Sequence, residues 1–269
     1  MTGETPKDTY THGHPDVVVR SHAARTAENS CGYLLPHLSP GTSLLDVGCG
    51  PGSITVDLAG RVAPGRVRGI EVVADPLDRA RTEAAGRVVD VEFAVDDAYA
   101  LSDADGTWDV AHAHQVLQHV SDPVAMLREM GRVTRPGGLV AARDADYAGF
   151  QWWPQDPRLD RWLELYRAVA RGNDAEPDAG RRLLGWAHAA GFTQVTPSAS
   201  VWCYATPEER AAWGGMWADR IHTGVGRMAV ERGLADEAEL DGISEAWRAW
   251  AAHPDGWFLI PHGEILCRP

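Results

Sequence analysis

From Ser43 to Asp144, short β-rich apolar runs alternate with stretches of helical period, the signature of a parallel sheet with crossover helices. The apolar runs predict strands at residues 44–47, 67–71, 91–95, 109–113 and 139–143. Between them, Asp75-Pro76 and Asp122-Pro123 each set an N-cap before a proline at the first helical position, and Pro136-Gly137-Gly138 closes the second of these helices. The element order is βαβαβ. Beyond Tyr147 the period becomes helical and tryptophan accumulates, with ten of the eleven Trp lying from Trp152 to Trp257. Thr206-Pro207-Glu208-Glu209 has capping-box form, and Trp213, Trp217, Ile221, Val225 and Met228 then fall on one face. A further helix carries Leu240, Ile243, Trp247 and Trp250. Two late runs, 194–204 and 257–267, read as a strand pair completing the sheet, with the helical segment inserted between them. Ahead of the sheet, residues 17–35 read as a helix.

Composition narrows the function. The chain of 269 residues carries 38 acidic and 25 basic side chains, a formal charge of −13. Residues 1–150 hold 21 acids and 13 bases, and 151–269 hold 17 and 12. Neither half offers the basic face that nucleic acid or an anionic membrane requires, so neither is an expected partner. With 44% hydrophobic and 23% charged residues, the chain matches a soluble globular protein. The N-terminus lacks the cationic and apolar stretches of a secretory signal, and no run approaches the roughly 20 apolar residues of a membrane span, so the cytoplasm is the expected location. Cys31, Cys49, Cys203 and Cys267 form no CxxC pair and read as reduced thiols. Lys7 is the sole lysine, which discounts Schiff-base catalysis and, with abundant Ala and Gly, suggests a GC-rich bacterial genome. A homo-oligomer is compatible with this composition and is not required by it.

The strongest chemical signal is Leu44-Leu45-Asp46-Val47-Gly48-Cys49-Gly50-Pro51-Gly52. An apolar strand runs into three alternating glycines and then a helix, so the backbone turns sharply and a ligand can approach without Cβ interference. Glu71 ends the next strand 19 residues after Gly52, where a carboxylate can accept from both hydroxyls of a ribose. A dinucleotide fingerprint would put glycine where Ser53 stands. Asp46, two residues before the first glycine, adds negative charge suited to a cationic ligand rather than a pyrophosphate.

Together with Val95-Asp96-Asp97-Ala98, Thr107-Trp108-Asp109-Val110 and Arg135-Pro136-Gly137-Gly138, these motifs resemble, in order, those of class I S-adenosylmethionine-dependent methyltransferases. The type most similar is the ubiquinone/menaquinone-biosynthesis group of small-molecule enzymes. The resemblance spans roughly residues 44–143, and Trp108 departs from its usual Phe. It implies an α/β fold: a Rossmann-like, seven-stranded, mostly parallel sheet flanked by helices, its last strand antiparallel, with helical cap insertions. S-adenosylmethionine is then the cofactor and a small-molecule methyl acceptor the partner, with methyl transfer by in-line displacement. Gly48 and Gly50 would lie against the methionyl moiety, Glu71 would hold the ribose, Val72 would pack on the adenine, and Asp97 with Ala98 would meet the adenine edge.

The remaining candidates surround that frame. His112 and His114 share a strand face, but no carboxylate or thiol at ligand spacing joins them, so no metal is expected. His114 and Gln115 end the fourth strand, where the family brings cofactor and acceptor together. His119 reads either as a base toward the acceptor or as a packed, hydrogen-bonded histidine. After the fifth strand, Asp144 or Asp146 can orient an amine or hydroxyl and Tyr147 can close over the acceptor; an Arg143–Asp144 pair that only fixes the loop is the alternative. Tyr10, His14 and Arg25 are lid candidates over the cofactor. The division expected is one domain, 1–269, with lid helices in 1–40, a cofactor-binding core in 41–147, and cap segments for the acceptor in 148–177 and 205–253. The tryptophan stripe is first a core feature, yet ten indoles exceed what a small cap needs, leaving some for an apolar or aromatic acceptor pocket. Two rival functions remain: a protein of this fold that binds the cofactor without methylating, and a nicotinamide-dependent oxidoreductase.

Overall fold

The computed structural model describes residues 25–269. Among these, eight strands form one sheet: β1 (Leu44–Val47), β2 (Val67–Glu71), β3 (Glu92–Val95), β4 (Trp108–His114), β5 (Thr134–Ala145), β6 (Gln151–Trp153), β7 (Gln194–Tyr204) and β8 (Trp257–Arg268). Strands β3-β2-β1-β4-β5 are parallel neighbours, and β8 runs antiparallel beside β5. Strand β7 pairs along β8 from Gln194↔Arg268 to Tyr204↔Phe258, so β5 and β6 share the other edge of β8. The antiparallel last strand agrees with the sequence expectation. The eighth strand does not: a 3-10 turn at Tyr147–Gly149 redirects the chain after β5, and three residues fall back onto β8 beyond the end of β5.

Alternation along the strands sends successive residues to opposite cores. Leu44, Val110 and Ala141 face α1 (Ala27–Ser30) and α2 (Ser53–Val62), packing on Ala27, Leu34, Ile54 and Leu58. Leu45, Ala111, Val140 and Ala142 face α4 (Pro123–Val133) and α6 (Leu183–Ala190) through Met126, Leu127, Met130 and Leu183. Helix α4 starts as expected, the Asp122 carboxylate accepting from the Ala125 N–H at 2.9 Å. Helix α3 (Asp75–Arg87) does not: Ala74 is its N-cap, and Asp75 lies inside the first turn without a capping hydrogen bond. Pro136-Gly137-Gly138 belongs to β5, because α4 already ends at Val133. Of the helix expected over 17–35, the described part contains α1 and a 3-10 turn at Leu35–His37.

The cap comprises α5 (Pro157–Arg171), α7 (Pro207–Arg220), α8 (Gly224–Glu231) and α9 (Glu237–Ala252). The Thr206 capping box forms reciprocally with Glu209. Trp162 sits at the centre, edge-on to Trp217 at 4.6 Å and to Trp247 at 4.8 Å between ring centroids. All three indoles are fully buried and, with Phe258 of β8, belong to one core. The stripe therefore divides: Trp217, Ile221 and Val225 are core, while Trp213 and Met228 are half-buried at its margin. Among the described residues no helix is long and apolar enough to cross a membrane.

Trp217→Ala should cost roughly 3–5 kcal/mol of folding stability by removing a buried indole from a packed core. Denaturant unfolding checks this, and a change within about 1 kcal/mol would show that the cap does not depend on that contact.

Candidate active site

The loop after β1 keeps its backbone in the left-handed region at Gly48 (φ 74°), Gly50 (φ 55°) and Gly52 (φ 82°). A Cβ at Gly48 would stand 2.5 Å from a Val116 methyl, and one at Gly52 would stand 2.7 Å from the Ala80 Cβ. At Gly50 a Cβ would meet nothing within 4 Å among the described residues, so this position faces space that they leave open. The Gly50 N–H donates to Glu71 Oε1 at 2.7 Å, and the Val72 N–H reaches Oε2 at 3.3 Å. Burial raises the Glu71 pKa. Both carboxylate oxygens retain lone pairs for further donors. Val72, beside it, is an apolar side chain left 64% exposed. Asp97 accepts the Tyr99 N–H at 2.9 Å, with half-buried Ala98 between them.

Asp46 corrects an expectation. Its carboxylate is buried behind the loop, accepting from Thr55 Oγ1 at 2.5 Å and lying 2.7 Å from His112 Nδ1. It is a paired charge rather than a free one facing a cationic ligand. Burial opposes the His112 imidazolium, but Cys31 and Asp46 beside it outweigh this and raise its pKa to about 10. Among the described residues no group of three His, Cys, Asp or Glu is disposed to hold a metal.

Two residues further along β4 and on the same face, His114 meets a different environment. It is buried, and neither ring nitrogen has a hydrogen-bond partner among the described residues. Burial, then the charges of Arg143 and Arg25, hold its pKa well below the ordinary value. Gln115, in the left-handed region at φ 55°, lies with its amide nitrogen 2.8 Å from His262 Nε2, while His262 Nδ1–H donates to the Ile260 carbonyl at 3.1 Å. His119 is half-buried with its Nε2 2.9 Å from the Gln118 amide, and burial, aided by Arg25, lowers its pKa to about 3. Asp144 is fully buried; one oxygen accepts the Gln118 N–H at 3.0 Å, the other has no hydrogen-bond partner among the described residues, and burial pushes its pKa up to about 8.

The other two candidates of this edge are already engaged. Asp146 is clamped by the Arg181 guanidinium through two contacts of 2.6 Å. Tyr147 is buried between Tyr166, stacked at 4.1 Å, and Phe150, at 4.4 Å, so it is a wall of the cap core rather than a flap over an acceptor. Tyr10 and His14 lie outside the described residues. The Arg25 guanidinium stands 5.5 Å from the centre of the Trp202 ring. Sequence reasoning did not single out Tyr33, Trp202, His262 or Glu264. His262 and Glu264 had a signal: two polar residues at i and i+2 in an otherwise apolar predicted strand, which puts both on one sheet face. A cleft of about 380 Å³ lined by His37, Asp109, Arg135 and Arg268 lies at the amino ends of β4 and β5, the edge opposite the glycine loop.

Glycines, Glu71 and the ends of β4 and β5 thus converge on one edge, where open α/β sheets bind ligands. Residues 44–138 match the family model of the methyltransferase domain. An uncharacterised methyltransferase of Schizosaccharomyces pombe is 32% identical over 286 residues, covering 99% of this chain and 98% of its own. The ubiquinone/menaquinone biosynthesis C-methyltransferase of Bdellovibrio bacteriovorus is 37% identical over 37% of this chain and 43% of its own. Among solved structures, the YcgJ protein of Bacillus subtilis superposes with a TM-score of 0.59 over 90% of this chain and 98% of its own at 17% identity, a likeness of fold. The chain belongs to the class I S-adenosylmethionine-dependent methyltransferases of the small-molecule type.

The edge fits that cofactor: the space over Gly50 admits a ligand against the backbone, Glu71 has lone pairs to spare, and Val72 offers an apolar face. When bound, S-adenosylmethionine supplies an electrophilic methyl group.

If Glu71 holds the ribose, Glu71→Ala should weaken S-adenosylmethionine binding by about 1–3 kcal/mol. Gly50→Val should abolish binding, because its side chain would enter the space over the loop, and should also lower the melting temperature, because a β-branched residue is strained at φ 55°. Calorimetry beside circular dichroism checks both, and unchanged affinity in either variant contradicts the assignment.

Asp144 also predicts a pH dependence. Its pKa is raised from 3.8 to about 8, so its contribution to stability is fully present below 3.8 and is lost as pH rises through 8. Asp144→Asn removes this titration. Between about pH 6 and about pH 9 the native protein should therefore lose more unfolding free energy than the variant. Parallel slopes in denaturant titrations would show that Asp144 does not carry the effect.

Proposed function

We propose that the methyl acceptor is a small apolar or aromatic metabolite seated over the carboxyl ends of β4 and β5 and beneath the cap. The observation that carries this reading is a seam of half-buried aromatic residues where sheet and cap meet. Trp202 lies 5.7 Å from the His114 ring, and Tyr204 stacks on Trp213 at 4.5 Å. Unlike Trp162, Trp217 and Trp247, these rings keep accessible surface. In this reading residues 41–147 hold the cofactor, the segments 148–177 and 205–253 cover the acceptor, and residues 1–40 act as a lid. A bacterial source is supported by the near absence of lysine beside abundant Ala and Gly.

The protein's own part is then to position the acceptor and exclude water, since a buried, oriented nucleophile needs little further activation. His119, with a pKa near 3, is a weak base at neutral pH. Its Nε2 already accepts from the Gln118 amide, so in the neutral ring Nδ1 carries the hydrogen and acts as a donor that orients rather than as a base that removes a proton. An acceptor that arrives without a proton to lose needs no base.

Protein supplied with S-adenosylmethionine bearing a labelled methyl group, and incubated with fractionated extracts, should transfer the label to a small molecule identified by mass spectrometry. Cofactor binding without label transfer across such fractions would favour a non-methylating role. With the acceptor known, Trp213→Ala should raise the acceptor KM about tenfold or more while leaving cofactor affinity near native. A fall in melting temperature with normal acceptor kinetics would instead make Trp213 a structural residue.

A further inference from the structure

The inner face of the antiparallel half of the sheet holds more hydrogen-bond donors than it uses. Arg143 is 1% exposed, and its Nε faces Ser200 Oγ at 3.0 Å and Glu264 Oε1 at 3.3 Å. Glu264 is itself satisfied by Ser198 at 2.7 Å and Ser200 at 2.5 Å. Both terminal nitrogens of Arg143 are buried without a hydrogen-bond partner among the described residues. The neighbouring strand puts His114 in register with Arg143, and neither of its ring nitrogens has a hydrogen-bond partner among the described residues. The Tyr33 hydroxyl is buried without a hydrogen-bond partner among the described residues too; burial, then Cys31, raise its pKa, and the charges of Arg143, Glu264 and Asp144 also act on it. Buried polar groups are rarely left unpaired, and a guanidinium least of all, so a cluster of such orphans marks a place built for a ligand.

The chemistry specifies that ligand. A guanidinium edge offering two NH2 groups matches the paired oxygens of a carboxylate. A phenol stands ready as a further donor. Arg25 and Arg143 both approach the Trp202 ring, their guanidinium carbons 5.5 and 4.8 Å from its centre. Among the described groups here their charges outnumber that of Glu264, because burial keeps Asp144 and Tyr33 protonated near neutral pH and His114 uncharged. One further negative charge is accommodated. The cluster lies further along the same edge than the groups assigned to the cofactor: the glycine loop follows β1 and Glu71 ends β2, whereas Arg143 lies on β5 beside β8, with Ser200 of β7 at its Nε. The Trp202 indole adds an aromatic wall.

We propose that Arg143, Tyr33 and His114 form a carboxylate-binding subsite, and that the methyl acceptor is an aromatic or apolar acid held by its carboxylate there. This rests on the acceptor lying over the ends of β4 and β5, as argued above. Arg143 is a specificity-determining residue in this assignment.

Benzoate and indole-3-acetate, each paired with its primary amide, test it by calorimetry on protein saturated with S-adenosylhomocysteine. At least one acid should bind about tenfold tighter than its amide, and Arg143→Gln should reduce that preference to about twofold or less. Because Arg143→Gln leaves Glu264 buried without its cation, the double variant Arg143→Gln/Glu264→Gln and the milder Tyr33→Phe accompany it. Tyr33→Phe removes only an unpartnered hydroxyl, so it should keep the native melting temperature and weaken the acid severalfold. Equal binding of acid and amide by the native protein, binding of neither, or a preference that survives in the variants overturns the proposal. A loss of S-adenosylhomocysteine affinity in Arg143→Gln of about tenfold would assign these donors to the carboxylate of the cofactor instead and overturn it as well. An acceptor recovered from extracts that carries no carboxylate overturns the subsite and leaves methyl transfer intact. Failure of native protein to bind S-adenosylhomocysteine would count against the cofactor edge.

Discussion

Strand β8 constrains both halves of the molecule, because it runs antiparallel between β5 and β7 and brings the last dozen residues of the chain against the ends of the parallel strands. Its register sets Glu264 opposite Arg143 on one side and Ser198 on the other. Burying a guanidinium costs several kcal/mol unless an opposite charge and further hydrogen bonds compensate, and this register supplies both to the Nε side of Arg143. A slip of one residue would turn Glu264 toward the apolar face that holds Val140, Ala142 and Ile265. The same pairing positions the cap. The chain leaves the sheet at Tyr204 and returns at Trp257, and Tyr204 is the cross-strand partner of Phe258, so α7, α8 and α9 rise from one point. Phe258 then enters the cap core beneath Trp162 and Trp247.

Strand β4 shows how finely this arrangement partitions charge. His112 and His114 share one face, separated by a single alanine, yet the first is held as a cation and the second as a neutral ring. Both are buried, so burial does not distinguish them. The difference comes from their neighbours: Asp46 lies against His112, while Arg143, Arg25 and His262 surround His114. The paired cation braces the floor beneath the glycine loop, and the neutral ring keeps a donor and an acceptor that no described residue uses.

Much of the fold was legible because its signals are local. Apolar runs of four or five residues, the Asp122 cap and the Thr206 capping box each act within one turn or strand, and strands β1, β2 and β7 match the expected bounds. Strand β6 was not legible, since three residues show no period, and its pairing depends on a turn that only the packing of Tyr147 explains. Asp75 misled for a related reason: Asp-Pro marks the first turn of a helix as readily as its cap. In the site, glycines and Glu71 advertise themselves by spacing. Asp146, Tyr147 and Arg143 do not, because their partners Arg181, Tyr166 and Glu264 are distant in sequence and only the fold decides which side chains are already engaged.

The cap separates two uses of aromatic surface that the sequence could not distinguish. Edge-to-face packing of Trp162, Trp217 and Trp247 fills a closed core, which ties cap rigidity to their shape complementarity. Trp202, Tyr204 and Trp213 keep exposed surface at the seam, where the electrostatics also change. A protein of charge −13 repels an anion at long range, but salt screens that field within about 8–10 Å, whereas a buried guanidinium acts at contact. An anionic acceptor would therefore gain little in its rate of encounter with this surface. Its selectivity would reside in how slowly it leaves Arg143, and in the orientation that a two-point contact fixes for the rest of the molecule.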